Sequence, residues 1–286
     1  MADTARDISA RNTTARDHAV HSDVAHNDVW LEASAYEFYV GRWSRLVADK
    51  FLQWIAVPPR QAWLDVGCGT GALCERIITR CEPARLVGVD PSDGFLSHAR
   101  AHATRSRVEF RVGDAQNLAV ADRSFDATVS GLVLNFVREP AKALAEMRRV
   151  TRPGGKVAAY VWDYAGEMQL MRHFWNAAVA LDPAAYELDE GRRFPLCRPA
   201  PLRALFEAAA LRDVEVCGID VPTLFMNFDD YWSPFCGGQG PAPGYCVALP
   251  NEERAALRER IRQSLPFEHD GKIHLTARAW AVQGRV

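Results

Sequence analysis

Leu64-Asp65-Val66-Gly67-Cys68-Gly69-Thr70-Gly71 is the stretch of sequence that decides the fold. Apolar residues precede its glycines, and an amphipathic pattern over residues 72–81 follows them. This order predicts a buried strand that turns directly into a helix. Glycines at such a turn allow the backbone to approach a ligand, and the first N–H groups of the helix have no partner within it. The stretch therefore predicts a ligand-binding loop.

Strands and helices are predicted to alternate on the carboxyl side of this loop. Short apolar runs predict strands over residues 63–67, 86–90, 108–112, 125–130 and 156–162. Amphipathic runs between them predict helices over residues 72–81, 92–104 and 141–150. Helices at 167–181, 202–211 and 252–263 and strands at 214–221 and 273–282 complete the pattern. Repeated β-α units of this kind predict an α/β fold, with a parallel sheet covered by helices on both faces.

Three aspartates lie at the loop or at predicted strand ends. Asp65 precedes the first glycine, where a carboxylate suits an ammonium group better than a pyrophosphate. Asp90 ends the second strand, where an acid can accept hydrogen bonds from a ribose diol. Asp114 follows the third strand and is positioned to meet the edge of an adenine. The glycine spacing also satisfies the looser pattern G-x-G-x-x-G/A, so a dinucleotide remains an alternative ligand.

In these features the chain resembles the class I S-adenosylmethionine-dependent methyltransferases, in the small-molecule branch that includes the ubiquinone/menaquinone-biosynthesis methyltransferases. The resemblance depends on the glycine stretch together with Val89-Asp90, Gly113-Asp114-Ala115, Ser124-Phe125-Asp126 and Arg152-Pro153-Gly154-Gly155. It implies a Rossmann-like three-layer sandwich. The seven-stranded sheet would be mostly parallel with one antiparallel strand, and a helical cap and lid insertions would be added to it.

The resemblance also implies S-adenosyl-L-methionine as the cofactor and gives roles to particular residues. The glycine loop would pass under the methionine moiety, Asp90 would hold the ribose and Asp114 with Ala115 would contact the adenine. The segment Tyr36–Ser44 resembles the helical entry segment of such enzymes, so Arg42 would pair with the cofactor carboxylate and Trp43 would pack on the sulfonium side. The predicted cofactor-binding set is Arg42, Trp43, Asp65, Gly67, Gly69, Gly71, Asp90, Pro91, Asp114, Ala115 and Leu132.

The methyl acceptor is expected beyond the fourth and fifth strands. Candidate residues of its pocket are Asn135, Trp162, Tyr231, Trp232 and Tyr245. The aromatic residues between 225 and 245 predict either a lid hinged on the glycines at 237–240 or the core of a C-terminal cap. Candidate general bases are Asp163, His173 and Asp229, and a solvated or structural role is the alternative for each.

Composition excludes several classes of protein. The chain has 286 residues, a formal net charge of −2 and seven cysteines without a C-x-x-C pair. The balanced charge disfavours a nucleic-acid partner. No apolar run is long enough to span a membrane, and the cysteine pattern indicates reduced thiols in a cytoplasmic protein. We predict no metal site, because His98 and His102 have no third ligand nearby in the sequence. The oligomeric state is left open.

Four segments are predicted along the chain: a mobile arm at 1–28, a helical cap at 29–60, a cofactor-binding core at 61–163, and a final segment at 164–286. The final segment would hold the last strands, with acceptor-lid insertions near 165–211 and 225–270. The predicted function is transfer of a methyl group to O, N or C of a small, planar or apolar acceptor by in-line displacement. An NAD(P)-dependent oxidoreductase and a non-catalytic S-adenosylmethionine-binding protein are the alternatives.

Overall fold

A computed structural model describes residues 41–102, 108–237 and 240–286 of the chain. Its centre is a seven-stranded sheet in the order β3-β2-β1-β4-β5-β7-β6. The strands are β1 (Ala62–Val66), β2 (Arg85–Asp90), β3 (Val108–Val112), β4 (Phe125–Gly131), β5 (Thr151–Trp162), β6 (Arg212–Phe225) and β7 (Ile273–Arg285). The predicted arm at 1–28 and the first part of the predicted cap, residues 29–40, lie outside the described residues.

Strand direction confirms the predicted α/β class. The pairs β1–β2, β2–β3, β1–β4 and β4–β5 are all parallel. Only β7 runs against the others, because it is antiparallel to both β5 and β6. The chain builds outward from β1 through β2 to β3, then returns to the other side of β1 with β4. The sheet therefore has a topological switch point between β1 and β4, where ligands of open α/β sheets bind.

Helices flank the sheet. The α-helices of the described residues are α1 (Arg42–Ile55), α2 (Ala72–Cys81), α3 (Asp93–His102), α4 (Pro140–Val150), α5 (Gln169–Leu181), α6 (Glu190–Arg193), α7 (Pro199–Ala208), α8 (Phe228–Trp232), α9 (Pro241–Ala248) and α10 (Asn251–Ser264). Two 3₁₀ helices, Pro183–Leu188 and Ser233–Gly237, join them. Within this part of the chain, no helix has both the length and the apolar character needed to cross a bilayer.

The central strands are buried on both faces. In β1 and β2 every residue after the first is buried. Such continuous burial is typical of parallel strands with a helical layer on each side. Helix α1 packs against α2 and β6, and α4 packs against β4 and β5.

Several predicted boundaries were wrong by three residues or more: β5 starts at Thr151 instead of residue 156, and β7 ends at Arg285 instead of residue 282. Two others have identifiable reasons. The strand predicted to end at Val221 continues through Pro222 to Phe225. Because β6 is the edge strand, the missing N–H of proline costs no pairing there. The helix predicted at 202–211 is α7, which starts three residues earlier with Pro199 in its first turn and ends at Ala208. Proline is favourable in a first turn because its absent N–H would have no partner there.

The aromatic residues after β6 form a packed cluster. Phe225, Tyr231 and Phe235 are fully buried, and the Phe235 ring stacks on Phe174 of α5 at 4.4 Å between centroids. The Tyr231 hydroxyl donates a hydrogen bond to the Leu170 carbonyl at 2.7 Å. The cluster thus has the packing expected of the core of a C-terminal cap. Two residues of the predicted glycine hinge, 238 and 239, lie outside the described part of the chain.

Replacing Phe174 with alanine tests whether this cluster is a core. The ring is fully buried, so Phe174→Ala is expected to lower the free energy of unfolding by about 3–5 kcal/mol. Urea denaturation measures the change. Leu181→Ala is the control, because Leu181 lies on the same helix and is 49% exposed. Equal losses from the two variants would contradict a packed aromatic core.

Candidate functional site

A cavity of about 520 Å³ opens at the switch point, beside the carboxyl ends of β1, β2 and β4. Its volume is within the range of small-molecule sites. Eight members of the predicted cofactor-binding set line it: Asp65, Gly67, Gly69, Asp90, Pro91, Asp114, Ala115 and Leu132. The fold therefore brings together residues that are up to 67 positions apart in the predicted set.

The glycine loop follows β1 closely against its neighbours. Gly67 has φ +74°, and a Cβ there would lie 2.5 Å from a methyl carbon of Val133. The N–H groups of Gly67 and Cys68 both donate to the Val89 carbonyl, at 2.7 and 3.0 Å. Any larger residue at position 67 would have to displace Val133 and adopt an unfavourable backbone conformation. The predicted loop is thus confirmed as a tight turn, fixed to β2.

Asp90 anchors this loop from the neighbouring strand. One carboxylate oxygen accepts a hydrogen bond from the Gly69 N–H at 2.9 Å, and the other accepts one from the Ser92 N–H at 2.9 Å. The side chain is buried, and burial raises its pKa although both hydrogen bonds oppose the rise. Each carboxylate oxygen keeps a further lone pair. Asp90 can therefore hold the loop and still accept hydrogen bonds from a diol in the cavity.

Asp65 is the most deeply buried carboxyl group among the residues that line the cavity. It is 1% exposed, and its Oδ2 accepts a hydrogen bond from the Cys74 thiol at 3.2 Å. Its Oδ1 is buried without a hydrogen-bond partner in the described structure. Burial raises the pKa of Asp65 to about 7; the Cys74 hydrogen bond lowers it and the charge of Asp90 raises it. A donor with positive charge would satisfy the unpaired oxygen and relieve the repulsion between the two carboxylates.

Asp114 and Ala115 form the far end of the cavity, after β3. The Asp114 carboxylate accepts hydrogen bonds from the backbone N–H of Gln116 at 2.8 Å and from its side-chain amide. The Gln116 side-chain oxygen accepts in turn from the Glu139 N–H at 3.0 Å. Through Gln116, hydrogen bonds therefore connect the turn after β3 with the chain that follows β4.

The chain after β4 forms the opposite wall. Leu132 has φ +62°, a conformation that is unfavourable for a residue with a side chain. It is held by a 2.7 Å hydrogen bond from its N–H to the Tyr160 carbonyl of β5. Strained residues of this kind cluster at functional sites. Val133 and Phe136 continue the wall, which is apolar.

Three predicted cofactor residues are not part of this lining. Gly71 has φ +88° and begins α2, with its N–H bound to the Cys68 carbonyl at 2.8 Å. Trp43 is buried against Phe225 of β6, in an edge-to-face contact at 5.2 Å. Its packing against a sulfonium stays a prediction. The side chain of Arg42 lies outside the described structure.

None of the candidate bases lines the cavity. The Asp163 carboxylate accepts hydrogen bonds from the N–H groups of Gly166 and Glu167 and so stabilises a turn. His173 lies 3.3 Å from the Ser264 hydroxyl, and burial lowers its pKa. Asp229 is exposed and forms an ion pair with Arg258 at 2.7 Å. Each of the three has a structural or solvated environment.

The predicted acceptor residues also lie apart from the cavity. Tyr231 and Trp232 belong to the buried aromatic cluster, and Tyr245 packs against Trp175 at 5.6 Å. Trp162 is buried at the end of β5, and its indole N–H has no partner among the described residues. The same holds for the side-chain amide nitrogen of Asn135. An acceptor role for these five residues stays a prediction.

Several lining residues were missed from the sequence. Those missed are Ser44, Phe95, Gln116, Arg138 and Tyr160. They come from five different segments, and each reaches the cavity through contacts between segments.

A second cavity, of about 780 Å³, lies between α2, α3 and β3. Its lining includes Gly71, Cys74 and His98 but neither Asp65 nor Asp90. The rings of His98 and His102 stack there at 4.1 Å, as expected for neighbours one turn apart on an exposed helix face. The site at the switch point is better defined, because its carboxylates, strained loop and backbone N–H groups converge on one volume.

Residues 64–159 match the family model described as a methyltransferase domain. The match runs from the middle of β1 to near the end of β5, and it includes every residue of the glycine loop. This region of the chain is thus similar to a methyltransferase domain. The cavity lies within the matched region, and among the residues that line it only Ser44 and Tyr160 lie outside residues 64–159.

Relatives and solved structures agree with the methyltransferase domain. The chain is 42% identical over 121 residues to a demethylmenaquinone methyltransferase of Renibacterium salmoninarum, which covers 41% of this chain and 46% of the relative. It is 39% identical over 118 residues to a ubiquinone/menaquinone biosynthesis C-methyltransferase of Dinoroseobacter shibae, covering 40% of this chain and 47% of the relative. The chain thus spans about half the length of the curated relatives it matches.

A likeness to a solved structure extends over more of the chain. A phosphoethanolamine N-methyltransferase from Haemonchus contortus, solved in complex with S-adenosyl-L-methionine, superposes with a TM-score of 0.54 at 17% identity. The superposition covers 88% of this chain and 56% of that protein. At this identity the likeness shows the fold alone. The likeness in fold extends over more of the chain than the family match at residues 64–159.

Replacing Asp65 with asparagine tests the electrostatic cost of the site. The pKa of Asp65 is about 7 in the folded protein and 3.8 for an ordinary aspartate. At a pH between these two values, the folded protein therefore keeps a proton on Asp65 that the unfolded chain releases. Wild-type stability should therefore fall as the pH rises through this window, and Asp65→Asn should lack this loss. The free energy of unfolding of Asp65→Asn relative to that of the wild type is expected to increase by about 2–3 kcal/mol from pH 5 to pH 8. Urea unfolding at both pH values measures it, and a pH-independent difference would contradict the raised pKa.

Proposed function

We propose that the protein transfers a methyl group from S-adenosyl-L-methionine to a small acceptor that is planar or apolar. The observation that supports this most directly is the buried carboxyl of Asp65 beside the glycine loop. Its unpaired oxygen requires a donor, and the neighbouring charge of Asp90 favours a cationic one. An ammonium group, as on the methionine moiety, meets both requirements.

The same carboxylates argue against a dinucleotide. Asp65, Asp90 and Asp114 all line one cavity. A pyrophosphate placed on the glycine loop would bring two more negative charges beside two buried carboxylates, and like charges at short range are costly in a site of low dielectric. S-adenosylmethionine instead carries an ammonium and a sulfonium. The NAD(P)-dependent oxidoreductase is therefore the weaker alternative.

The remaining residues suit the other parts of the cofactor. Asp90 would accept hydrogen bonds from the ribose hydroxyls, and the end of the cavity at Asp114 and Ala115 would hold the adenine. Gly67 and Gly69 would let the backbone pass close to the methionine moiety, since neither has a side chain that would intrude. Bound S-adenosylmethionine supplies a methyl group that is already activated by the sulfonium charge.

What the chain itself must do is hold the reactants in line and keep water out. Well-oriented reactants gain about 7–11 kcal/mol from proximity alone. The strained turn at Leu132 and the glycine loop fix the two walls between which the reacting groups would meet. None of the described candidate bases lines the cavity, so we assign no general base. An acceptor whose nucleophilic atom is already deprotonated, or a soft atom, needs none.

The apolar wall supports a planar or apolar acceptor. Phe136 lines the cavity and is 38% exposed. Its ring contacts Phe194 at 5.1 Å, and Phe194 contacts Tyr164 at 5.6 Å. These three rings form an aromatic surface beside the cavity. The names of the two curated relatives, which concern quinone biosynthesis, favour the same class of acceptor and carbon as the methylated atom.

Replacing Asp90 with alanine tests the cofactor assignment. The change removes the ribose acceptor and the two hydrogen bonds that hold the loop, so S-adenosylmethionine affinity is expected to fall tenfold or more, given about 1.5–3 kcal/mol for a hydrogen bond to a charged group. Titration calorimetry measures the dissociation constant. Asp93→Ala is the matched control, since Asp93 is exposed and pairs only with Arg100 in the described structure. Unchanged affinity in Asp90→Ala would refute the role of Asp90.

The wild-type protein decides between the function classes. Calorimetry against S-adenosylmethionine and NAD⁺ is expected to show binding of the first only. Binding of NAD⁺ alone would overturn the proposal in favour of the oxidoreductase. Turnover of S-adenosylmethionine with a panel of quinones, phenols and amines then separates an enzyme from a non-catalytic binding protein.

A further inference from the structure

Tyr160 presents the one large polar side chain that reaches the cavity from β5. It is 2% exposed and is one of the residues that line the cavity. The ring packs against Phe51 of α1 at 4.7 Å between centroids. Because the side chain is held between the sheet and α1, its hydroxyl has little freedom to leave the position that the packing gives it.

The hydroxyl lies above the neighbouring strand. Tyr160 is paired in register with Gly131, the last residue of β4. A Cβ built on Gly131 would be 2.6 Å from the Tyr160 hydroxyl oxygen and 2.8 Å from its Cζ carbon. The phenol therefore crosses from β5 over the end of β4. Only a glycine at position 131 leaves this space.

This position is opposite the carboxylates. Asp65 is on β1 and Asp90 is on β2, so both lie on the other side of the switch point from β5. A cofactor whose ammonium meets Asp65 and whose ribose meets Asp90 has its sulfur between these two groups. The Tyr160 hydroxyl lies beside Gly131 at the end of β4, on the β4 and β5 side of the cavity, where the acceptor is also expected. From this position the hydroxyl oxygen would be close to the section of the cofactor that changes charge.

We propose that the Tyr160 hydroxyl oxygen contacts the sulfonium centre and makes the site prefer S-adenosylmethionine over S-adenosylhomocysteine. This inference rests on the proposed function. A phenol oxygen carries partial negative charge and is attracted to the cationic sulfonium, whereas the neutral thioether of the product offers no such charge. Loss of the methyl group removes the attraction, so the contact favours cofactor entry and product release.

Binding measurements test the contact without any acceptor. Titration calorimetry would give dissociation constants for S-adenosylmethionine and S-adenosylhomocysteine on the wild type and on Tyr160→Phe. The variant keeps the ring and its packing on Phe51. Affinity for S-adenosylmethionine is expected to fall about fivefold to tenfold, and affinity for S-adenosylhomocysteine by less than about twofold.

A second variant moves the hydroxyl instead of removing it. Gly131→Ala places a methyl group where the phenol lies, so it should displace the ring and reduce the preference for S-adenosylmethionine in the same way. Tyr186→Phe is the control, because Tyr186 is 52% exposed and its ring lies under Arg192, away from the cavity. Thermal unfolding of each variant shows whether it is folded. If one of the two cavity variants is unfolded, the other still tests the preference.

The outcomes separate this inference from the function on which it rests. Failure of the wild type to bind either ligand would overturn the proposed function. Normal wild-type binding, with the same ratio of the two dissociation constants in Tyr160→Phe, would overturn the sulfonium contact alone. An equal loss of affinity for both ligands would also overturn it, because it would indicate that the hydroxyl supports the shape of the cavity. The inference is supported if the dissociation constant of S-adenosylhomocysteine divided by that of S-adenosylmethionine falls in Tyr160→Phe and Gly131→Ala but not in Tyr186→Phe.

Discussion

The burial of two carboxyl groups at the ends of adjacent strands is the constraint on which the site depends. Asp90 at the end of β2 uses both oxygens to hold the glycine loop and the start of the next helix. Asp65 on β1 has one buried oxygen without a hydrogen-bond partner in the described structure, and burial raises its pKa to about 7. This arrangement makes the charged form of Asp65 unfavourable in the folded protein, and it leaves a buried position that a cation can occupy.

The rest of the structure keeps these groups in position. The parallel register places the ends of β1, β2 and β4 side by side, and the reversal of strand order opens the crevice between β1 and β4. Helix α1 closes one side through the packing of Phe51 on Tyr160. The aromatic cluster after β6 is continuous with the core of the sheet and packs against the strands that complete it. None of the residues that line the crevice comes from the chain after β5.

The sequence was sufficient for whatever depends on neighbours along the chain. Strand ends, glycines and the acids beside them are local features, and Gly67, Gly69, Asp90 and Asp114, which were predicted to bind the cofactor, all line the cavity. Their binding role stays a prediction. Tyr160 was missed because its role depends on pairing with Gly131, which only the sheet register reveals. Trp43 was predicted in the site, whereas the described structure has it packed on Phe225, a contact between residues far apart in sequence.

Proton release on cofactor binding tests the central claim most directly. If the ammonium of S-adenosylmethionine meets Asp65, a carboxyl with a pKa of about 7 must ionise on binding. Calorimetry in buffers of different ionisation enthalpy, at about pH 6, should then show release of close to one proton, since the ligand amine is fully charged at that pH. The release should diminish as the pH approaches 8, and Asp65→Asn should show none. Binding of S-adenosylmethionine at pH 6 without proton release would contradict the account.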